Sequence, residues 1–229
     1  MIRKQGDRCI IFELGNRIDA GTGLKCLSLA QRFRLAKLSG VTDVIPSFIT
    51  VAIQFEPHPD HQNDPIAYFE HAAQAFLDQP LDQSLVESRI IEVPVCYDSN
   101  YGIDLEFVAQ TSQCSIEEVI RKHTEALSRV YMIGFAPGQP YIGIHDLCFD
   151  IPRRKTPRTA VPAGSVAIAN RQTTFYPNLL PGGWHVIGMT PIALFDVNRA
   201  RPSLLEPGDQ VRFVPITSER FKSIQDNKA

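Results

Sequence analysis

Arg153-Arg154-Lys155-Thr156-Pro157-Arg158 places four cations within six residues, on a stretch stiffened by Pro152, Pro157 and Pro162. Arginine's planar fork pairs bidentately with carboxylate or phosphate, so a rigid loop of this kind suits an anionic substrate, nucleotide or partner. A solvated surface loop has the same composition, and the run alone does not separate the two. The string GFAPGQPYIG (134–143) follows an apolar stretch and combines Gly134, Gly138 and Gly143 with two prolines. Glycine permits positive φ and close approach of a ligand to the backbone, which makes Gly138 a candidate contact, but a structural corner uses the same residues. Neither GxxxxGK[ST] nor GxGxxG before a helix is present, so any ATP would bind outside a standard phosphate loop.

Gln172 and Thr173, followed by Tyr176-Pro177, offer neutral donors and acceptors between two expected strands, groups suited to orienting an amide or a lactam. Trp184, in the turn Pro181-Gly182-Gly183-Trp184, can supply an apolar wall or sit in the core. His123 ends an expected helix and is a candidate general base or anion ligand; a histidine stabilised by the helix C-terminus reads the same way. His58-Pro59-Asp60-His61 lacks a third ligand nearby and is expected to be a solvated loop, with no metal site in the chain. A GxSxG elbow and an HExxH helix are absent, and Cys148 lies in an apolar stretch that favours an inert thiol.

These residues must be held by two kinds of structure. Cys9 to Leu14 and Phe48 to Phe55 read as strands, Gly23 to Leu38 has helical spacing, and Asp64-Pro65 starts a helix running to about Leu77. From Arg89 the stretch RIIEVPVCY is strand-like, and Ser115 to Glu118 is a capping box for a helix ending near His123. Then come VYMIGF, SVAIA, WHVIGMT, IALFDV and QVRFVPI, the last after a Glu206-Pro207-Gly208-Asp209 turn. The dense glycine and proline between Gly134 and Pro191 exclude long helices. The expected architecture is α+β, with an N-terminal α/β domain over 1–88 and a β-barrel-like domain over 89–229.

The chain has 229 residues, 44% of them hydrophobic and 21% charged, and a formal net charge of −2. That balance excludes a disordered chain and argues against nucleic acid as a partner. No run of 18 apolar residues and no signal-peptide pattern occurs, so neither a membrane span nor export is expected and the cytoplasm is the expected location. Five scattered cysteines without a CxxC pair suit reduced thiols.

Taken in order, GFAPGQPYIG, PRRKTPRTAVPAGSVAIA (152–169), Gln172-Thr173, Tyr176-Pro177, PGGWHVIGMTPIALFD (181–196) and LLEPGDQVRFVPI (204–216) resemble the KipI / PxpB family, also called allophanate hydrolase subunit 1. IEVPVCYDSNYGIDLEFVA and SIEEVIRKHT extend the resemblance over nearly the whole chain. It implies a ferredoxin-like N-terminal domain and a cyclophilin-like barrel, without prolyl isomerase activity. It also implies the B subunit of a bacterial 5-oxoprolinase, which uses ATP to open 5-oxoproline to glutamate together with A and C subunits. Alternatives within the family are an inhibitor of a histidine kinase and a urea or allophanate carboxyltransferase-type subunit. On this resemblance Arg154 and Arg158 become anion clamps, Gln172 and Thr173 amide orienters, and His123 a proton carrier in a site shared with the C subunit. The chain departs from the family pattern at Gln139, where an aromatic is usual, at Asn170-Arg171, at Thr174, which replaces a glycine, and at Leu180.

Overall fold

The computed structural model describes residues 1–80, 86 and 89–227. The chain divides into two compact units, Met1–Ser88 and Arg89–Ala229; the boundary residue 88 itself lies outside the described residues.

In the first unit, strands β1 (Ile2–Lys4), β2 (Cys9–Glu13), β3 (Val41–Pro46) and β4 (Thr50–Phe55) form an antiparallel sheet in the order β1-β2-β4-β3. Helix α1 (Ala20–Ala36) begins where Asp19 accepts from the Thr22 amide at 2.9 Å. Helix α2 (Pro65–Leu77) begins where Asp64 accepts from the Ala67 amide at 3.0 Å, with Pro65 in the first turn, where the missing donor costs nothing. Cys26, Leu29, Ala30 and Phe33 of α1 and Phe69 and Ala73 of α2 bury themselves with Ile10, Phe12, Val51 and Ile53 of the sheet. A ferredoxin-like connectivity would fill the edge beside β2 with a strand after α2; here β1, which precedes β2 in the chain, fills it. His61 does not lie in a solvated loop: it is buried beside Phe55, Tyr68 and Phe69, with Nε2 3.0 Å from the Ser39 carbonyl. The ring's apolar faces find an aromatic pocket and one nitrogen finds a backbone partner, which outweighs hydration.

The second unit is a seven-stranded sheet ordered β12-β9-β10-β7-β6-β13-β5. Its strands are β5 (Ile90–Val95), β6 (Ser128–Ile133), β7 (Pro140–Gly143), β9 (Ser165–Ala169), β10 (Gln172–Phe175), β12 (His185–Met189) and β13 (Gln210–Pro215). Cys96, just beyond β5, exchanges backbone hydrogen bonds of 2.8 and 2.9 Å with Met189 of β12, so the two edge strands meet and the sheet is a nearly closed barrel. Closure removes exposed sheet edges and encloses Val93, Val130, Ile142, Val166, Ile168, Phe175 and Phe213. A ribbon of β8 (Arg158–Val161) and β11 (Leu180–Gly182) lies apart from that sheet. Helix α4 (Ile116–Thr124) carries the full capping box: Glu118 accepts from the Ser115 amide at 2.8 Å and Ser115 Oγ accepts from the Glu118 amide at 3.2 Å. At the turn before β13, Gly208 has φ +104° and the Asp209 amide donates to the Glu206 carbonyl.

The expected strand over 192–197 is absent. Only an isolated bridge, Phe195 with Ser203, forms there, because Asp196 and Leu204 spend their amides on Pro202 and Leu194 across a local loop. Helices α3 (Leu105–Ser112) and α5 (Ser218–Asp226) complete the unit. Among the described residues no helix is long and apolar enough to cross a membrane.

Candidate functional site

Strand β10 decides which residues can meet a ligand, because successive side chains point to opposite faces of the sheet. Thr173 and Phe175 face the barrel interior: Thr173 Oγ1 lies 2.9 Å from His123 Nε2 and 2.8 Å from His145 Nε2, and Phe175 belongs to the core. Gln172 and Thr174 therefore face outward. The β9–β10 hairpin fixes this register through a two-residue turn in which Asn170 and Arg171 take φ of 49° and 63°. Both central residues left-handed is the turn whose twist matches the flanking strands.

The interior group is a buried polar chain. Tyr97 Oη lies 2.8 Å from His123 Nδ1, and His123, Thr173 and His145 continue it. Phe213 packs on the His123 ring at 4.1 Å between centroids. Burial holds His123 well below the usual imidazole range, with His145 beside it adding to the effect. Burial, helped by the nearby Arg171 cation, pulls His145 down to about 4. His123 is thus a neutral, fully enclosed histidine that braces Thr173 from inside the barrel.

The outer face presents different chemistry. Beside Gln172 and Thr174 lie Ala169 and Ala167 of β9 and Gly143 and Tyr141 of β7, so small residues flank the glutamine. Trp184, with Tyr176, Val186 and Val161, covers this face, and its ring meets Tyr141 edge-on at 5.7 Å. The Arg153 guanidinium lies over the Trp184 ring at 5.4 Å. Gln172 is 7% exposed, and among the described residues its side-chain amide has no protein hydrogen-bond partner. A side-chain amide without a protein partner is a ready two-point contact for a polar ligand.

The expected arginine clamp is used internally. Arg158 donates to both oxygens of Asp104 at 2.7 Å, Arg154 donates to one at 3.2 Å, and the Val186 amide adds a fourth bond at 2.8 Å. Burial works to raise the Asp104 carboxyl, but Arg158, the Val186 amide and Arg154 together hold it below the ordinary range. Asp104 sits at the start of α3 yet makes no capping bond there, because its carboxylate is turned to the arginines. Two arginines share one carboxylate, so one positive charge of the group remains uncompensated, and Arg153 and Lys155 are the cations of this run without an ion pair among the described residues.

Gly138 has φ +74°, and an added Cβ would lie 2.7 Å from Phe195 Cβ, so it permits close packing of two loops. The structure thus brings Gln172, Trp184 and the Arg153 end of the basic run toward one outer face, while Thr173 and His123 belong to the interior. Sequence reasoning missed Asp104, His145 and Tyr141. Asp104 precedes a helical spacing of Leu105, Val108 and Ala109 and was detectable as a helix start; its service to two arginines some 50 residues away was not. Burial pushes the Cys148 thiol up to about 12, with Asp146 adding to it, which leaves it a poor nucleophile.

The model of the carboxyltransferase domain, subdomain C and D, matches residues 1–205. The B subunit of 5-oxoprolinase from Bacillus subtilis (strain 168) is 35% identical over 231 residues, covering 98% of this chain and 96% of the relative. The corresponding 5-oxoprolinase B subunit of Haemophilus influenzae is 50% identical over 128 residues, 56% of this chain and 60% of the relative. The crystal structure of TTHA0988 superposes with a TM-score of 0.77 at 31% identity over 95% of this chain, which spans only 41% of that longer chain.

Proposed function

The chain belongs to the carboxyltransferase-domain family, subdomains C and D, and we propose that it is the B subunit of an ATP-dependent 5-oxoprolinase, inactive alone and completed by A and C subunits. The observation that carries this reading is the similarity to the 5-oxoprolinase B subunit of Bacillus subtilis along almost the full length of both chains. The barrel is read as cyclophilin-like and the N-terminal unit as a rearranged ferredoxin-like fold, both serving as scaffolds.

Gln172 is the substrate-orienting residue in this reading. A five-membered lactam holds its N–H and C=O on one edge, and a primary amide offers the complementary pair: Nε2–H donates to the lactam carbonyl while Oε1 accepts from the ring N–H. Tyr141 and Trp184 supply the apolar wall, and Arg153 suits the substrate carboxylate. Thr173, His123, Arg154 and Arg158 act indirectly, by fixing the strand and the loop that carry these groups. In this reading ATP phosphorylates the lactam oxygen, water adds to the activated carbon, and the ring C–N bond breaks as a proton passes to nitrogen. A second water hydrolyses the resulting acyl phosphate to glutamate and phosphate. The engagement of Arg154 and Arg158 by Asp104 supports leaving the phosphoryl transfer to the other subunits. Gln172 holds the lactam edge in register for these steps through its two contacts.

Deletion of the gene tests the reading in the cell. Cells lacking this chain are expected to accumulate 5-oxoproline and to lose growth on it as sole nitrogen source. Unchanged 5-oxoproline and unchanged growth would contradict it.

A further inference from the structure

Phe135 is the one aromatic side chain of the 134–143 corner set in a backbone conformation that bulky residues avoid, with φ +69°, and it is 69% exposed. Both features are unfavourable for the chain on its own: the left-handed region crowds Cβ against the backbone, and the ring is left in water. The surrounding corner imposes them. The Gly134 amide donates to the Gln139 carbonyl and the Gln139 amide to the Ala136 carbonyl, at 3.1 and 3.0 Å, while Gly138 wedges against Phe195. Among the described residues the Phe135 ring stacks on no other ring. The loop that packs against Gly138 carries a second exposed apolar side chain two residues beyond Phe195, Val197, which is 72% exposed.

This corner is tied to the candidate site. Gln139 Nε2 donates to Thr174 Oγ1 at 3.2 Å, and Thr174 shares the outward face of β10 with Gln172. A protein seated on the corner would therefore stand beside the face that carries the unpaired amide. The same fold also occurs as 41% of a longer chain, so a relative of this module is covalently joined to more than its own length of other protein.

We propose that Phe135 is the anchor by which this chain docks onto the C subunit of its complex, with Val197 at the rim of the contact. The inference rests on the reading of this chain as a 5-oxoprolinase component and adds the surface that makes the contact. A rigidly presented aromatic ring is the side chain from which a protein interface gains most, and a corner that holds it outward in advance lowers the ordering cost of association.

The test is co-elution of the full chain with the purified C subunit from the same genome, measured by size exclusion and quantified by titration. Phe135→Gly places glycine where positive φ is natural, so the isolated variant should melt at or above the temperature of the parent chain. Its affinity for the C subunit should nevertheless fall at least about thirtyfold. Phe135→Trp, which keeps a large ring, should retain most of the affinity. A Phe135→Gly chain that folds and binds as tightly as the parent overturns the docking role while leaving the proposed function intact. A parent chain that binds no C subunit overturns both.

Discussion

Gln139 Nε2 donates to Thr174 Oγ1 at 3.2 Å, and Thr174 Oγ1 donates in turn to the Pro140 carbonyl at 2.7 Å. Gln139 and Thr174 are two of the positions at which the chain departs from the pattern it resembles, an aromatic and a glycine respectively. Their contact couples the two positions in this chain. A glycine at 174 leaves room for a ring from 139, and a threonine there fills that room and supplies the acceptor a buried glutamine needs.

A double-mutant cycle checks this coupling. Gln139→Phe alone drives a ring against Thr174, and Thr174→Gly alone strands the buried Gln139 amide; each should lose about 1–3 kcal/mol of stability. The double variant should recover about 1–2 kcal/mol relative to the sum. Urea unfolding of the four proteins gives the value, and strictly additive losses would refute the coupling.

Asp104 is the fixed point of the basic loop. Replacing it with alanine leaves Arg154 and Arg158, both partly buried, facing each other without a counter-charge, and is expected to cost about 3 kcal/mol. Because its folded pKa is lowered, the parent's stabilisation by Asp104 is complete above the unfolded carboxyl value of about 3.9 and is lost as pH falls through the lower folded value. Urea midpoints collected between pH 5 and pH 2 should show a loss that Asp104→Asn reduces by the share of this one carboxylate.

Acid sensitivity at higher pH comes from a different place. His123 and His145 are neutral when folded, so the unfolded chain binds more protons once the pH drops below about 6.5. Stability is therefore full above that pH and declines toward pH 4, with a slope of up to about 1.4 kcal/mol per pH unit for each histidine. His145→Gln should flatten the slope by one histidine's share, and an unchanged slope would show that the ring does not titrate on unfolding.

How much of this was legible in the sequence follows from the range of each interaction. Asp64-Pro65, the Ser115 to Glu118 box and the Glu206 to Asp209 turn stood out because each closes within a few residues, and each stands in the structure as read. His61, His123 and Asp104 were misjudged or overlooked because their partners come from distant segments: Ser39 for the first, Tyr97 and Thr173 for the second, two arginines for the third. The basic run was recognised as special for its charge. Only the folded loop reveals that two of its cations share one carboxylate and that Arg153 rests on Trp184.

Gln172→Leu separates orientation from stability. The amide has no partner within the described residues, so its removal should leave the melting temperature unchanged, while kcat/KM of the assembled complex should drop roughly tenfold to a hundredfold with the loss of two hydrogen bonds. Thr173→Val should instead lower stability first, since it keeps the volume but strips two buried histidine nitrogens of their hydroxyl partner.

An obligatory component of a 5-oxoprolinase must be needed for turnover, and the decisive measurement is ATP-dependent release of glutamate from 5-oxoproline with this chain and the purified A and C subunits, omitting each in turn. Activity is expected only with all three, abolished by leaving out this chain and weakened by Gln172→Leu. An assembled, well-folded complex that releases no glutamate, or one equally active without this chain, would contradict that role.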